Sequence, residues 1–382
     1  MKLITNINNF GFEIMKILNK SNIENNICFC PLSAYFIMSL LEMGAKGKTF
    51  DELKIILGED FSVLLENNDS NFIKTLKKDL NQFFEDIEIS AKCNTKVFHQ
   101  FEILPNFKKN ANDVFKMVTE KLNFKDCLLA MNTMNKWVSE KTDGNIKELF
   151  KKPLETDTNF VMINTLLFES KWEDHFDSSN TMLETFYISE KKTCKVQMMN
   201  KSAFCRYLKD KDTLTSLIVL PFKIKKIVAI FILPNEGSNL DNVFNNLEAR
   251  DFHSLYAKSK NDVVEVSIPK LNLSNLVPLK DCLNSMGVKD LFTSHVSDLS
   301  HISHTQSSIN DIYQCVNIKI DEEGVVAAAA TVCECCVDGV TDFETTIFKL
   351  DRPFLFLIYD TSTQLVLFSN VVTDPSKSLN AT

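Results

Sequence analysis

Apolar positions in the first half of the chain repeat with helical spacing. Near the N-terminus they predict an amphipathic helix whose apolar face is Ile4, Ile7, Phe10, Ile14, Ile17 and Leu18. Residues 31–43 are apolar nearly all round, which predicts a buried helix that begins at Pro31 and ends at Gly44. Residues 49–52 predict a capping box that opens the next helix. Residues 134–150 predict a surface helix that runs into a break at Gly144.

The second half has the pattern of strands. Short runs rich in Val, Ile, Leu and Phe predict strands at 160–168, 216–220, 226–233, 263–268, 354–359 and 365–372. Helices first and strands later, without regular alternation, predict an α+β fold. Residues 324–353 carry no amphipathic pattern, and this stretch is about twice the roughly 15 residues beyond which a structureless segment is uncommon and usually functional. We therefore expect a functional loop there.

Composition narrows the class of protein. The chain has 382 residues, 45% of them hydrophobic, with nine glycines and nine prolines, which favours a folded domain over disorder. No linker or repeat divides it, so we expect one domain over 1–382. The net charge of −8 gives no sign of nucleic-acid binding. No apolar run reaches the roughly 18 residues of a membrane span, and polar residues interrupt any signal-peptide core. With eleven scattered cysteines, we expect reduced thiols and a cytoplasmic location.

A series of short motifs occurs in a fixed order along the chain. They lie at 26–33, 94–98, 142–146, 163–168, 171–176, 268–270, 286–292, 320–324 and 352–354. Each motif alone is weak, but the complete ordered set resembles the serpin family. The resemblance implies the α+β serpin fold, with three β-sheets, about eight to nine helices and an exposed reactive-centre loop at about 322–352. It implies no cofactor and no enzymatic activity.

The resemblance also implies how the loop works. In serpins, the reactive-centre loop begins with a hinge. Here the hinge is formed by Glu322, Glu323, Gly324, Val325, Val326, Ala327, Ala328, Ala329 and Ala330. After a protease cleaves the loop, the N-terminal half of the loop inserts as a new strand into the main sheet, and the protease stays attached as an acyl-enzyme.

Insertion of the loop into a sheet requires side chains that fit a packed core, and the loop residues can be compared with this requirement. Side chains alternate in a strand, so every second loop residue enters a packed core. One alternating set is small and uncharged throughout, namely Val325, Ala327, Ala329, Thr331, Cys333, Cys335 and Val337. Both charges, Glu334 and Asp338, fall in the other set. Because a buried unpaired charge costs several kcal/mol, this pattern predicts a loop that can insert, and hence an inhibitor.

Two other interpretations stay open at this point. The four alanines at 327–330 would also open an ordinary helix, and residues 337–340 form a strong hairpin-turn signal. The corresponding alternative function is a non-inhibitory serpin that acts as a binding protein or a decoy.

The residue before the cleaved bond sets which protease attacks. Family spacing places the reactive bond after the fourteenth residue beyond Gly324, which gives Asp338–Gly339. Counting back from Pro353 instead favours Asp342–Phe343. Either count gives an aspartate, which needs a pocket lined with Arg or Lys. The intracellular proteases that fit are caspases and granzyme B. The preceding residues, Glu334, Cys335, Cys336 and Val337, are an unusual set for these proteases.

The sequence resembles the intracellular poxvirus serpins of the cytokine response modifier A type in three features. These are an aspartate before the reactive bond, the missing signal peptide and the Ala-rich hinge. That resemblance implies suppression of host apoptosis and of inflammatory cytokine maturation in the host cytoplasm. The expected partners are caspase-1, caspase-8 or granzyme B, each in a one-to-one covalent complex with a monomeric inhibitor.

The resemblance further implies a gate beneath the opening sheet, formed by Ser33, Asn164, Trp172 and Gln314. Gln314 replaces the family's usual histidine and Cys30 its usual serine. Glutamine can still donate and accept hydrogen bonds, so we expect a gate with altered timing. We expect no metal site, because neither the histidines at 295, 301 and 304 nor the segment 333–336 has a standard ligand spacing.

Overall fold

The computed structural model describes residues 2–21, 25–66, 70–155, 157–325 and 346–377. Its described part contains nine α-helices, and most of the longer ones come before residue 142. They are α1 Lys2–Ser21, α2 Pro31–Gly44, α3 Gly47–Leu57, α4 Asn71–Ser90, α5 Pro105–Asp113, α6 Cys127–Lys141, α7 Leu240–Asn246, α8 Ala249–Lys258 and α9 Lys280–Ser285.

Sixteen strands occur in the same described part. They are β1 Ile27–Phe29, β2 Ala91–His99, β3 Met117–Lys121, β4 Phe160–Phe168, β5 Ser170–Lys171, β6 Met182–Ser189, β7 Lys192–Asp210, β8 Thr215–Pro221, β9 Ile227–Pro234, β10 Lys260–Pro269, β11 Leu271–Pro278, β12 Asp311–Ile320, β13 Gly324–Val325, β14 Thr346–Lys349, β15 Phe354–Asp360 and β16 Leu365–Val372. All six predicted strands are present, each within a few residues of its predicted bounds.

The strands form three sheets. A nine-stranded sheet has the order β1-β16-β15-β9-β8-β7-β10-β14, with β6 also paired to β7. A five-stranded sheet has the order β11-β12-β4-β2-β3, and a two-stranded sheet joins β13 to β5. In the five-stranded sheet, β12 runs parallel to β4 from Asp311 opposite Val161 to Asn317 opposite Leu167. No other described strand lies between β12 and β4 over this register.

The chain divides into two compact units, each assembled from three separate segments. The first comprises Met1–Leu18, Phe29–Phe168 and Ser274–Asn317. The second comprises Asn19–Cys28, Glu169–Leu273 and Ile318–Thr382. The expectation of one domain over 1–382 stays a prediction.

In the first unit, helices cover both faces of the five-stranded sheet's central strand. Helix α2 is buried along its entire length, as its unbroken apolar pattern predicts. Helix α6 presents the buried residues Ala130, Met134 and Val138, spaced four apart on one face. These pack with Val161 and Ile163 of β4. The odd-numbered side chains of β4 therefore lie under α6.

Two predicted helix boundaries are wrong. Helix α3 begins at Gly47, so Thr49 lies inside its first turn and makes no capping box. Instead, Thr49 Oγ1 accepts a hydrogen bond from the amide of Asp298, and Glu52 accepts from the amides of Lys289 and Asp290. These distant donors take the oxygens that the local pattern would have used.

The second error concerns the predicted helix at 134–150. Helix α6 covers Cys127–Lys141 and starts at an Asp126 N-cap that accepts from the Leu129 amide. The chain leaves the helix at Asp143 and Gly144, which both have positive φ. Beyond that point, Asn135 accepts hydrogen bonds from the amides of Leu149 and Phe150 and thereby holds the non-helical segment against α6.

Candidate sheet gate and reactive-loop hinge

Gln314 lies in the middle of β12, fully buried, opposite Asn164 of β4. Its Oε1 accepts from the amide of Cys30 at 2.7 Å, and its Nε2 donates to the carbonyl oxygen of Cys30 at 3.1 Å. The same Nε2 lies 3.3 Å from Oδ1 of Asn164. Gln314 therefore bonds the residue that precedes α2 to the pair of strands that would separate on insertion.

Asn164 connects this pair to the next strand. It is fully buried, and its Nδ2 donates to Oγ1 of Thr95 at 2.9 Å, the residue directly opposite on β2. Three side chains, from β12, β4 and β2, thus form one buried polar row across the sheet. Burying such groups is tolerated because they satisfy one another.

Two further residues complete the gate. Cys93 Sγ lies 3.7 Å from Oγ of Ser33 on α2 and 3.7 Å from Nδ2 of Asn164. Burial raises the pKa of the Cys30 thiol well above its usual range, so this side chain remains a neutral packing group. Among the described cysteines none forms a disulfide.

The hinge begins with a tight turn directly after β12. The Asp321 amide donates to the carbonyl of Gly324 at 2.8 Å, and the Gly324 amide donates back at 3.2 Å. The chain then pairs antiparallel with β5, with Gly324 opposite Lys171 and Val325 opposite Ser170. Strand β5 follows β4 after a single residue, so the first two residues of the loop already pair with the continuation of β4.

Trp172 holds the turn in place. Its indole Nε1 donates to the carbonyl oxygen of Asp321 at 3.0 Å, and its amide donates to that of Glu323 at 3.0 Å. The ring is 1% exposed and stacks on Phe222 with centroids 4.7 Å apart. Trp172 therefore belongs with the hinge. In the first unit, Gln314 contacts Asn164, and Ser33 and Asn164 each contact Cys93.

Glu322 is the electrostatic anchor of the turn. Its Oε1 accepts from Lys270 Nζ at 2.7 Å and from Thr181 Oγ1 at 2.7 Å. Desolvation by itself would raise the pKa of this carboxyl group, but the bonds from Lys270 and Thr181 outweigh that effect and lower the pKa below its ordinary value. The Glu323 carboxylate lies 4.0 Å from Lys171 Nζ, which is a much longer contact.

Position 324 requires a glycine because of its backbone conformation and because a side chain would have no room there. Its φ of +145° lies in a region that side chains rarely adopt. A Cβ added there would come within 2.3 Å of the Ser170 carbonyl oxygen. The glycine that ends the Glu-Glu-Gly motif thus permits the close pairing of β13 with β5.

The remaining predicted loop residues lie outside the described residues. These are Val326, Ala327, Ala328, Ala329, Ala330, Glu334, Cys335, Cys336 and Val337, together with both candidate bonds, Asp338–Gly339 and Asp342–Phe343.

Several residues of the site were not predicted from the sequence. Thr95 lies within the strand motif at 94–98 and Cys93 directly precedes it, and that motif was the only signal for them in the sequence. For Thr181 and Phe222 there was no local signal, because their partners are far away in sequence. Within the described ranges no group of three or more His, Cys, Asp or Glu side chains is arranged to hold a metal. No helix of that same part is long and apolar enough to cross a membrane.

Comparison with known proteins agrees with this architecture. The family model described as serpin (serine protease inhibitor) matches residues 5–375. Alpha-1-antiproteinase of Ovis aries is 30% identical, over 99% of this chain and 89% of its own. Serpin A3-5 of Bos taurus is 29% identical, over 97% and 88%. The crystal structure of human thyroxine-binding globulin complexed with thyroxine superposes with a TM-score of 0.87 at 21% identity, over 98% of this chain and 99% of that chain.

The fold is therefore that of a protease-inhibitor class built on a mixed α+β scaffold. The chain belongs to the serpin family, and the predicted serpin fold is confirmed.

Family membership corrects one expectation. From the sequence, we expected the chain to have no enzymatic activity. Serpins, however, enter the reaction of the protease as suicide substrates, which is not strictly catalysis. A simple division between enzyme and non-enzyme does not describe the inhibitory members of this family, because each acts as a substrate that the protease fails to release.

Proposed function

We propose that this serpin is a suicide-substrate inhibitor of Asp-specific intracellular proteases, caspases and/or granzyme B. In this proposal it acts as a monomer in the host cytoplasm and forms one-to-one covalent complexes. By doing so it suppresses host apoptosis and cytokine maturation, as implied by the resemblance to poxvirus serpins. The observation that carries the inhibitory part is the register of β13 with β5.

That register can be continued by counting. If the loop kept the pairing of Gly324 with Lys171, Ala327 would lie opposite Phe168 and Thr331 opposite Asn164. The loop would then take over the edge of β4 that now pairs with β12. At the gate, the loop would pair with Asn164, the residue that now contacts Gln314.

In this register, the small side chains of the loop would lie on the face of β4 that carries the gate. The odd-numbered loop residues would share a face with Asn164, the face on which Gln314 contacts Cys30. These are the small, uncharged residues of the loop. Glu334 would share the face of Val161 and Ile163, nearer the far end of the strand. A cleaved loop would therefore bring no charge to the Gln314 side of the sheet, whereas Glu334 would lie on the side that α6 covers.

The gate supplies the barrier that keeps the uncut protein in the closed arrangement. Separating β12 from β4 breaks the paired register from residue 311 to residue 317 and strips Gln314 of its partner on β4. Loop insertion would replace those backbone bonds, so the closed form can be a trapped state that cleavage releases.

The Asp specificity rests on the sequence alone. An aspartate stands at both candidate bonds, Asp338–Gly339 and Asp342–Phe343, and requires a cationic pocket in the protease. The relatives named above include an antiproteinase and one member of the serpin A3 group, which supports inhibition of proteases as a class.

The test is incubation of the full chain with caspase-1, caspase-8 and granzyme B in separate mixtures, followed by residual activity and mass spectrometry. Loss of protease activity together with cleavage after Asp338 is the expected result. Asp338→Ala should abolish this inhibition and cleavage, and Asp342→Ala serves as the matched control that distinguishes the two bonds. Cleavage with full protease activity would instead favour the decoy or binding-protein function.

A further inference from the structure

An apolar patch lies on the solvent face of the nine-stranded sheet, beside its edge strand. Phe204 of β7, Val263 of β10 and Ile347 of β14 are 75%, 55% and 70% exposed. Val263 is directly opposite Phe204, and Ile347 is opposite Glu265, the next residue of β10 on the same face. The three therefore belong to one continuous surface, which we name the edge patch.

This exposure does not arise from an irregular sheet. The intervening residues Ala203, Val264 and Phe348 are all buried, as expected for strands with one face in the core. Single exposed apolar residues are ordinary. Three on adjacent strands at a sheet edge form a surface that proteins usually avoid unless it contacts a partner.

The position of the edge patch along the chain identifies the partner. Strand β14 starts at Thr346, seven residues after Gly339. Seven residues span at most about 25 Å. A protease of about 220 residues has a radius of gyration of roughly 17 Å, so one that holds the reactive bond extends over the surface next to β14.

The charges at the edge patch indicate the chemistry of the partner surface. Glu265 is exposed between Ile347 and Ser202, and the Asp262 carboxylate, also exposed, accepts from Thr346 Oγ1 at 2.9 Å. A partner with an apolar side chain next to Lys or Arg would match this arrangement. Proteases that accept aspartate already carry such basic residues in their clefts.

We infer that the edge patch is an exosite for the target protease, a contact surface outside the reactive loop that accelerates capture of the protease. This inference rests on the proposed function. The exosite would act on the association step, so its loss should slow inhibition without changing how many inhibitor molecules each captured protease consumes.

The experiment measures the second-order rate constant of inhibition and the stoichiometry for the protease that the wild type inhibits fastest. A triple variant, Phe204→Ser, Val263→Thr and Ile347→Thr, should lower the rate constant about tenfold or more at unchanged stoichiometry. The matched control is Ile55→Thr on α3, which changes a residue that is 79% exposed. Glu265→Gln should weaken the salt dependence of the rate.

The outcomes separate the two proposals. If the wild type inhibits none of the proteases, the proposed function fails and the exosite fails with it. If the wild type inhibits and the triple variant matches it, only the exosite is overturned. If sedimentation shows a wild-type dimer that the triple variant turns into monomer, a second copy of the chain covers the edge patch and the exosite is likewise overturned. Phe204→Leu should retain most of the wild-type rate.

Discussion

The side chains of Gln314 and Asn164 meet across the parallel strands β12 and β4, with Nε2 of Gln314 3.3 Å from Oδ1 of Asn164. Gln314 also bonds both backbone groups of Cys30. A glutamine thus holds together the strands that the proposed mechanism must separate.

Replacing that glutamine should have a measurable cost. Gln314→Leu would leave the buried amide of Cys30 without its acceptor, so we expect the free energy of unfolding to fall by about 1–3 kcal/mol. The measurement is urea unfolding followed by circular dichroism. Gln197→Leu, at an exposed position of β7, should change stability by no more than about 0.5 kcal/mol. Equal effects of the two substitutions would contradict a special role for Gln314.

Gly324 should control how firmly the hinge is held. In Gly324→Ala, the new Cβ would collide with the Ser170 carbonyl oxygen and push β13 away from β5. We expect the amides of Trp172 and Phe176, which donate to carbonyls of the hinge, to exchange with deuterium at least about tenfold faster. Gly237→Ala is the control, because it also has a positive φ but its Cβ would meet nothing within 4 Å. Unchanged exchange in Gly324→Ala would show that the pairing does not depend on this glycine.

The Glu322 anchor predicts a pH dependence. Its folded-state pKa is below the ordinary value of 4.5, so its contribution to stability is complete above that value and is lost as the pH falls through the lowered pKa. At pH 7, Glu322→Gln should cost about 1.5–3 kcal/mol of unfolding free energy, and the difference from wild type should shrink below about pH 4.5.

The control for that pH series is Glu323→Gln, because Glu323 is more exposed and lies 4.0 Å from Lys171. We expect it to cost less than about 1 kcal/mol at any pH. Unfolding curves recorded between pH 3 and pH 8 provide the measurement. A pH-independent penalty for Glu322→Gln would mean that its carboxylate charge is not what stabilises the turn.

The proposed insertion mechanism predicts a difference between two adjacent valines. Val325→Arg would bring a charge to the inward-facing set, so the cleaved loop could not enter the sheet and the protein should be turned over as a substrate. Val326→Arg changes the other face and should leave inhibition nearly intact. The measurement is the stoichiometry of inhibition, expected to rise more than about tenfold only for Val325→Arg. Normal inhibition by that variant would rule out insertion.

The features that could be predicted from the sequence are those set by local periodicity. Residues 160–168 and 365–372 are rich in Val, Leu and Phe, and both became buried strands with the predicted bounds. The start of α2 followed from Pro31, which fits a first helical turn. The capping box at 49–52 was wrong because its side-chain oxygens bond to amides near residues 289–298.

The sequence by itself determined the family, the buried strands and the alternating loop, because side-chain spacing along one strand or helix is a local property. The tertiary structure alone decided that Gln314 bonds to Cys30, a residue 284 positions away, and that Trp172 supports the Asp321 turn. It also decided that Phe204, Val263 and Ile347 share one exposed face. Such contacts depend on which strands become neighbours and in what register, and no local pattern encodes that choice.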